Sequence, residues 1–193
     1  FSLDNVSVLS LNIGQPEDLL QSARMYASAG VLSIETEKPH FENERNSAFR
    51  VQMRGGSFGY VSPSIRWWQK AGSRTSFSLN GNYMRADGNY PFTLVNGKYV
   101  TEEKRNNSAI YTYQIEPTLF HTFKDSSNLE LKAYYFYSKR GLPGSVTLYN
   151  PISDETLWDE NVFIQTRYKK DFSQKWSLQA QAKYNHGWNK YED

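Results

Sequence analysis

The sequence predicts an all-β protein, an antiparallel up-and-down membrane β-barrel with a little helix near its amino end. Three observations predict it. Seven stretches alternate apolar and polar residues over roughly ten positions each, the connections between them sort into tight and long, and a hydrophilic chain is rich in aromatics. In residues 75 to 84, Thr75, Phe77, Leu79, Gly81 and Tyr83 fall on one face and Ser76, Ser78, Asn80 and Asn82 on the other. About 9 to 11 tilted residues are what a strand needs to cross a bilayer.

Composition fits that geometry. Of the 193 residues, 16% are aromatic, with 14 Tyr and 5 Trp, while mean hydropathy is −0.71. No apolar run approaches the roughly 20 residues of a membrane-spanning helix. A barrel strand needs apolar side chains only at alternate positions, and Tyr and Trp suit the headgroup level at either membrane surface. Twenty-two Lys and Arg against 20 Asp and Glu leave a formal charge of +2, too small to argue for nucleic acid. There is no cysteine, so disulfide and thiolate chemistry are excluded. Phe1 is preceded by no Met and no leader pattern, which reads as a fragment or a processed product.

The first forty residues differ from the rest. Val6, Val8, Leu9, Leu11 and Ile13 make a short strand that Gly14 ends. A helix is expected next, with Pro16 at its first position, Glu17 and Asp18 at its positive end, and Gly30 as terminator. Val31 to Thr36 alternates again as a strand, and Pro39 marks a break. From about Arg45 alternation is sustained. Phe49, Val51 and Met53 oppose Arg50, Gln52 and Arg54; after a turn at Gly55, Gly56 and Gly59, Val61, Pro63, Ile65 and Trp67 oppose Ser62, Ser64, Arg66 and Trp68. Pro63 removes a ladder donor and favours an edge or irregular position. The stretch from Thr75 follows a turn at 72 to 74. Four more strands present Ala109 to Leu119, Leu129 to Tyr137, Val162 to Phe172 and Trp176 to Tyr184, with Ser177, Gln179, Gln181 and Lys183 on the second face of the last.

Turns near 72 to 74, 124 to 128 and 173 to 175 are tight, while 87 to 108 and 139 to 160 are long. An up-and-down barrel puts tight turns on one side of the membrane and long loops on the other. A soluble β-sandwich shares the period of two and stands as the alternative, although a Greek key gives no reason to sort loops by length.

No catalytic constellation emerges, and no enzymatic activity is expected. His40, His121 and His186 are far apart and match no metal-ligand spacing, which reads as surface or interface histidine. The acids Asp87, Glu102, Glu103, Asp154, Glu155, Asp159 and Glu160 sit in the long loops as solvated charge or as oxygen ligands for Ca²⁺. Lys139-Arg140-Gly141-Leu142-Pro143-Gly144 is the most distinctive loop, where Arg140 either contacts an anionic ligand group or is a solvated cation at a rigid strand exit. Tyr90, Phe92, Tyr99, Tyr149 and Trp158 offer aromatic surface for a bulky ligand, or pack the loops on one another.

With these parts in this order, the chain resembles a TonB-dependent outer-membrane receptor. Residues 21 to 36, ending in Val31-Leu32-Ser33-Ile34-Glu35-Thr36, look like the end of that family's plug domain. Gly55-Gly56-Ser57-Phe58-Gly59 resembles its first barrel hairpin, and Arg140-Gly141-Leu142-Pro143-Gly144 resembles a segment that follows an early strand in many members. The likeness is greatest to cobalamin receptors of the Bacteroidetes type. It implies a plug remnant over 1–40 and, over 41–193, about the first seven strands of a 22-stranded plugged barrel. It further implies residence in the bacterial outer membrane, contact with its lipid, a TonB-type energy-transducing partner, and import of a corrinoid. Receptors for siderophores or glycans share these barrel features. The Ca²⁺-binding aspartates of enteric cobalamin receptors have no clear motif match in the loops carrying Asp87, Glu102, Glu103, Asp154 and Asp159. Arg50, Arg54, Glu130, Lys132, Arg167 and Lys169 are the lumen positions expected to pair with the plug.

Overall fold

In the computed structural model, the structure describes residues 6–13, 27–39, 41, 45–146 and 153–193. The expected helix falls mainly on residues outside these, as do His40 and Tyr149; among the described residues there is no helix. Among the described residues, eleven strands form three antiparallel sheets. β1 (Val6–Ile13) and β2 (Gly30–Thr36) make a hairpin. β3 (Ser47–Gly55), β4 (Val61–Lys70), β5 (Thr75–Ala86), β8 (Ile110–Thr122), β9 (Asn128–Gly141), β10 (Thr156–Ser173) and β11 (Trp176–Glu192) make a seven-stranded meander, and β6 (Pro91–Asn96) pairs with β7 (Tyr99–Lys104) in a small sheet.

The seven alternating stretches are the seven meander strands, and each pairs with its neighbour in chain order once β6 and β7 are set aside. Several run longer than a bilayer requires. β10 keeps partners on both sides as far as Thr156, opposite Gly141 and Glu192, so Trp158, Asp159 and Glu160 are strand residues and not loop residues. The turn at 56–60 lies at the same end as the long connections, since Phe58 O accepts from Asp87 N at 2.8 Å. Loop length is therefore sorted only from the third strand onward.

Pro63 and Pro117, the two prolines of the meander, each sit at a gap in one of their two ladders. The β4–β5 ladder omits Ser62 and Pro63, and the β8–β9 ladder omits Glu116 and Pro117, as residues without an N–H to donate require. Between β6 and β7, Gly97 has a φ of 62° at the first position of a two-residue loop closed by Asn96 and Tyr99, which is where a II′ hairpin turn places glycine. In the tight turn at 123–127, Asp125 accepts from Lys170 Nζ at 2.7 Å and from Ser127 Oγ at 2.7 Å. Those bonds, Lys170's foremost, hold its carboxyl well below the usual carboxylate range.

The burial pattern is inverted relative to a water-soluble domain. Ser62 and Ser78 are 4% exposed and Thr118 is 3% exposed, whereas Val51 is 71% and Met53 69% exposed. Trp68 is the one buried large apolar side chain among the described residues. In β4, β5 and β8 the buried positions are thus mostly polar and the apolar members of the alternation are more exposed, while β3 and β11 are largely exposed on both faces.

Candidate functional site

The β1–β2 hairpin and the segment after it lie against the polar face of the meander. Alternation brings Arg50, Arg66, Asn80, Glu116, Lys132 and Arg167 to that face from six strands, because every second side chain of each strand points the same way. Glu37, just beyond β2, ion-pairs with Arg50 at 3.5 Å and contacts Arg66 Nη1. Lys132 Nζ donates to Thr36 Oγ1 at 2.8 Å and lies 3.5 Å from Glu116, and Arg167 lies 3.9 Å from Glu130. A cavity of about 460 Å³ opens between hairpin and wall, with Ile34 and Thr36 on one side and Tyr134, Phe163, Arg167 and Lys183 on the other. Tyr134 stacks on Phe163 at 4.7 Å, and Lys183 Nζ sits 4.1 Å from the Phe163 ring. The arrangement holds the hairpin through water-accessible ion pairs and hydrogen bonds, and its floor suits a ligand with both planar and anionic parts.

At the other end of the wall the two long connections are joined. Asn107 Nδ2 donates to Leu142 O at 3.1 Å and to Glu155 O at 2.7 Å. Arg105 Nη2 donates to Gly144 O at 2.6 Å. Gly141 is required there, because a Cβ would collide with Asn107.

The residues singled out as ligand contacts do not form one group. Tyr90 meets Phe58 edge-on at 6.2 Å and Phe92 at 6.3 Å, so these two rings pack loop on turn. Tyr99 lies exposed on β7. Arg140 belongs to β9 and pairs with Asp159 at 3.0 Å, while Trp158 lies on the opposite face of the sheet between Lys139 at 5.2 Å and Lys190 at 4.8 Å. The Ca²⁺ candidates are also dispersed. Asp87 pairs with Arg85 at 3.0 Å, Glu102 accepts from Thr93 Oγ1 at 2.7 Å, Glu103 stands next to it on β7, and Asp154 precedes β10. Asp159 is engaged by Arg140 and Asn189. Among the described residues no group of three or more His, Asp or Glu side chains could hold a metal ion.

The outward face has its own order. Cross-strand register places Tyr83, Tyr113, Tyr137, Glu160 and Trp188 in one row, with Tyr113 stacked on Tyr137 at 4.8 Å. Near the tight turns, Phe123 packs on His121 at 4.6 Å and on Tyr168 at 6.3 Å, beside exposed Phe172 and Trp176. Aliphatic residues such as Leu79, Ile115, Leu131 and Ile164 lie between. Tyr113 and Phe123 are ten residues apart, about 33 Å of extended chain.

In comparisons with known proteins, no family model matches the chain, and no curated protein matches it.

Proposed function

We propose that the chain forms part of the wall and adjoining plug of a TonB-dependent transporter in the bacterial outer membrane. The carrying observation is the inverted sheet: polar side chains of β4, β5 and β8 are buried, and apolar ones are exposed between two aromatic rows about 25 Å apart along the normal at a strand tilt of about 40°, as a bilayer's interfaces are. A β-sandwich would cover its apolar faces with a second sheet, whereas Val51, Met53 and Ile164 are more than half exposed. The hairpin's polar seating supports the second half of the reading. A plug that rearranges during each transport cycle must separate from the wall, which hydrated contacts permit more readily than a fused apolar core. The resemblance supplies the rest: a TonB-type partner drives the rearrangement, and the cargo is a bulky nutrient of the corrinoid class.

The test reconstitutes the protein in bilayers whose acyl chains carry bromine, which quenches nearby indoles. Trp67, Trp158, Trp176 and Trp188 share strand faces with the apolar residues, so most of the emission is expected to be lost. Emission equal to that in unbrominated lipid rules out the membrane wall. Cargo is tested separately by cobalamin uptake in a deletion strain, where unchanged uptake removes the corrinoid and leaves a siderophore or glycan receptor.

A further inference from the structure

The polar face contains a pairing that sheets ordinarily avoid. Arg50 of β3 and Arg66 of β4 are direct cross-strand partners, and like charges directly opposite one another repel. Two features hold them there. Trp68 presents its ring to both, 5.8 Å from the Arg50 guanidinium and 5.3 Å from that of Arg66, a cation–π contact on each side. Arg66, its side chain only 6% exposed, also donates from Nε to Asn80 Oδ1 at 3.1 Å, so wall residues aim its remaining N–H groups into the lumen. Among the described residues, Glu37 brings a carboxylate to both arginines from the segment after β2. Glu37 is itself partly exposed, so solvent and solutes reach the pair.

We propose that Arg50 and Arg66 constitute an oxyanion-binding site of the lumen, that Glu37 is its resident occupant, and that a phosphate group carried on a ligand competes with Glu37 for it. Planar guanidinium forks match the spacing of phosphate oxygens, and a phosphate carries more charge than the carboxylate it displaces. Displacement breaks the ionic tie between the hairpin and β3–β4 and leaves Lys132–Thr36 as the neighbouring hydrogen bond. The consequence for transport rests on the plug-and-wall reading: arrival of an anionic cargo loosens the hairpin from the wall. The anion site itself does not depend on that reading.

Inorganic phosphate is the probe, titrated calorimetrically into the full chain in detergent. Glu37→Gln removes the competing charge and is expected to bind phosphate about tenfold more tightly than the unaltered protein, while Glu37→Asp keeps a carboxylate and stays close to it. Adding Arg66→Gln to Glu37→Gln is expected to abolish the gain. Equal binding by the unaltered protein and Glu37→Gln overturns the proposal, as does a gain that survives Arg66→Gln. In the unaltered protein, amide exchange over Gly30–Thr36 is expected to accelerate in phosphate and not in chloride at matched ionic strength. Equal acceleration in chloride is screening, and also overturns it. None of these readouts measures transport, so failure of the import reading and failure of the anion site are distinguishable.

Discussion

Asn107 ties one long connection to the other. Its backbone φ is 46°, a left-handed conformation that asparagine tolerates better than most residues. From there its amide donates to carbonyls on both sides of the 142–155 connection, reinforcing the bonds these already accept from Ser153 Oγ and Leu142 N. Alanine in its place loses both bonds and strains the backbone. Asn107→Ala is expected to lower the opening free energy of the 142–146 and 153–155 segments by about 1–3 kcal/mol, read as faster amide exchange there, with the β8–β9 ladder unchanged. The residue scale is also where the sequence says least. Asn107 is one of two adjacent asparagines in a polar stretch, and no local pattern marks it. Glu37 and Arg66 are 29 residues apart, so their meeting depends on where the hairpin seats. Trp158 is different. It is four residues before Val162 and six before Ile164 on β10, so strand parity alone places it on the outward face; the signal was present, but the stretch reads as loop when strands are taken to be bilayer length.

Strands were legible because the period of two survives any environment that distinguishes the two faces. Alternation locates all seven meander strands, and parity assigns Arg50, Arg54, Glu130, Lys132, Arg167 and Lys169 to the polar side. It does not locate β6 and β7, where Thr93-Leu94-Val95 and Tyr99-Val100-Thr101 are short and charge-flanked; Gly97-Lys98 between them, glycine first, is the II′ hairpin signal that identifies them. Nor does alternation say which face meets water, and that decides the element's energetics. Ile164 lies near the middle of the outward band, four residues from both Glu160 and Tyr168 and half exposed. If lipid covers that band, Ile164→Lys costs about 2–4 kcal/mol; on a water-exposed surface the cost is within about 0.5 kcal/mol. Gln165→Glu, one residue along on the polar face and directly opposite Lys132 and Lys183, is the charged control expected to cost no more than about 0.5 kcal/mol. Denaturant unfolding from lipid vesicles measures both, and two equal small changes would exclude a lipid-facing β10.

The whole molecule joins two bodies of unequal strength. β8, β9 and β10 are each hydrogen-bonded on both sides through long ladders, so opening any one of them breaks two sets of bonds at once. The hairpin has a single ladder of seven paired positions, interrupted between Val6 and Val8, and an isolated two-stranded hairpin is marginal in water. What holds it is Glu37 on two arginines and Thr36 on Lys132, contacts that water competes for. Unfolding is therefore expected in two steps. In rising urea, amides of Val31–Thr36 should lose protection several molar before those of β8–β10, the interval reflecting a local opening free energy well below the global one. Substituting Glu37 by Gln should move only the first step to lower urea, because the second involves no residue of the hairpin. Exchange experiments at a series of urea concentrations resolve the two, and a single transition shared by hairpin and wall would mean that the hairpin is built into the wall's cooperative unit, which a plug that must leave during transport is not.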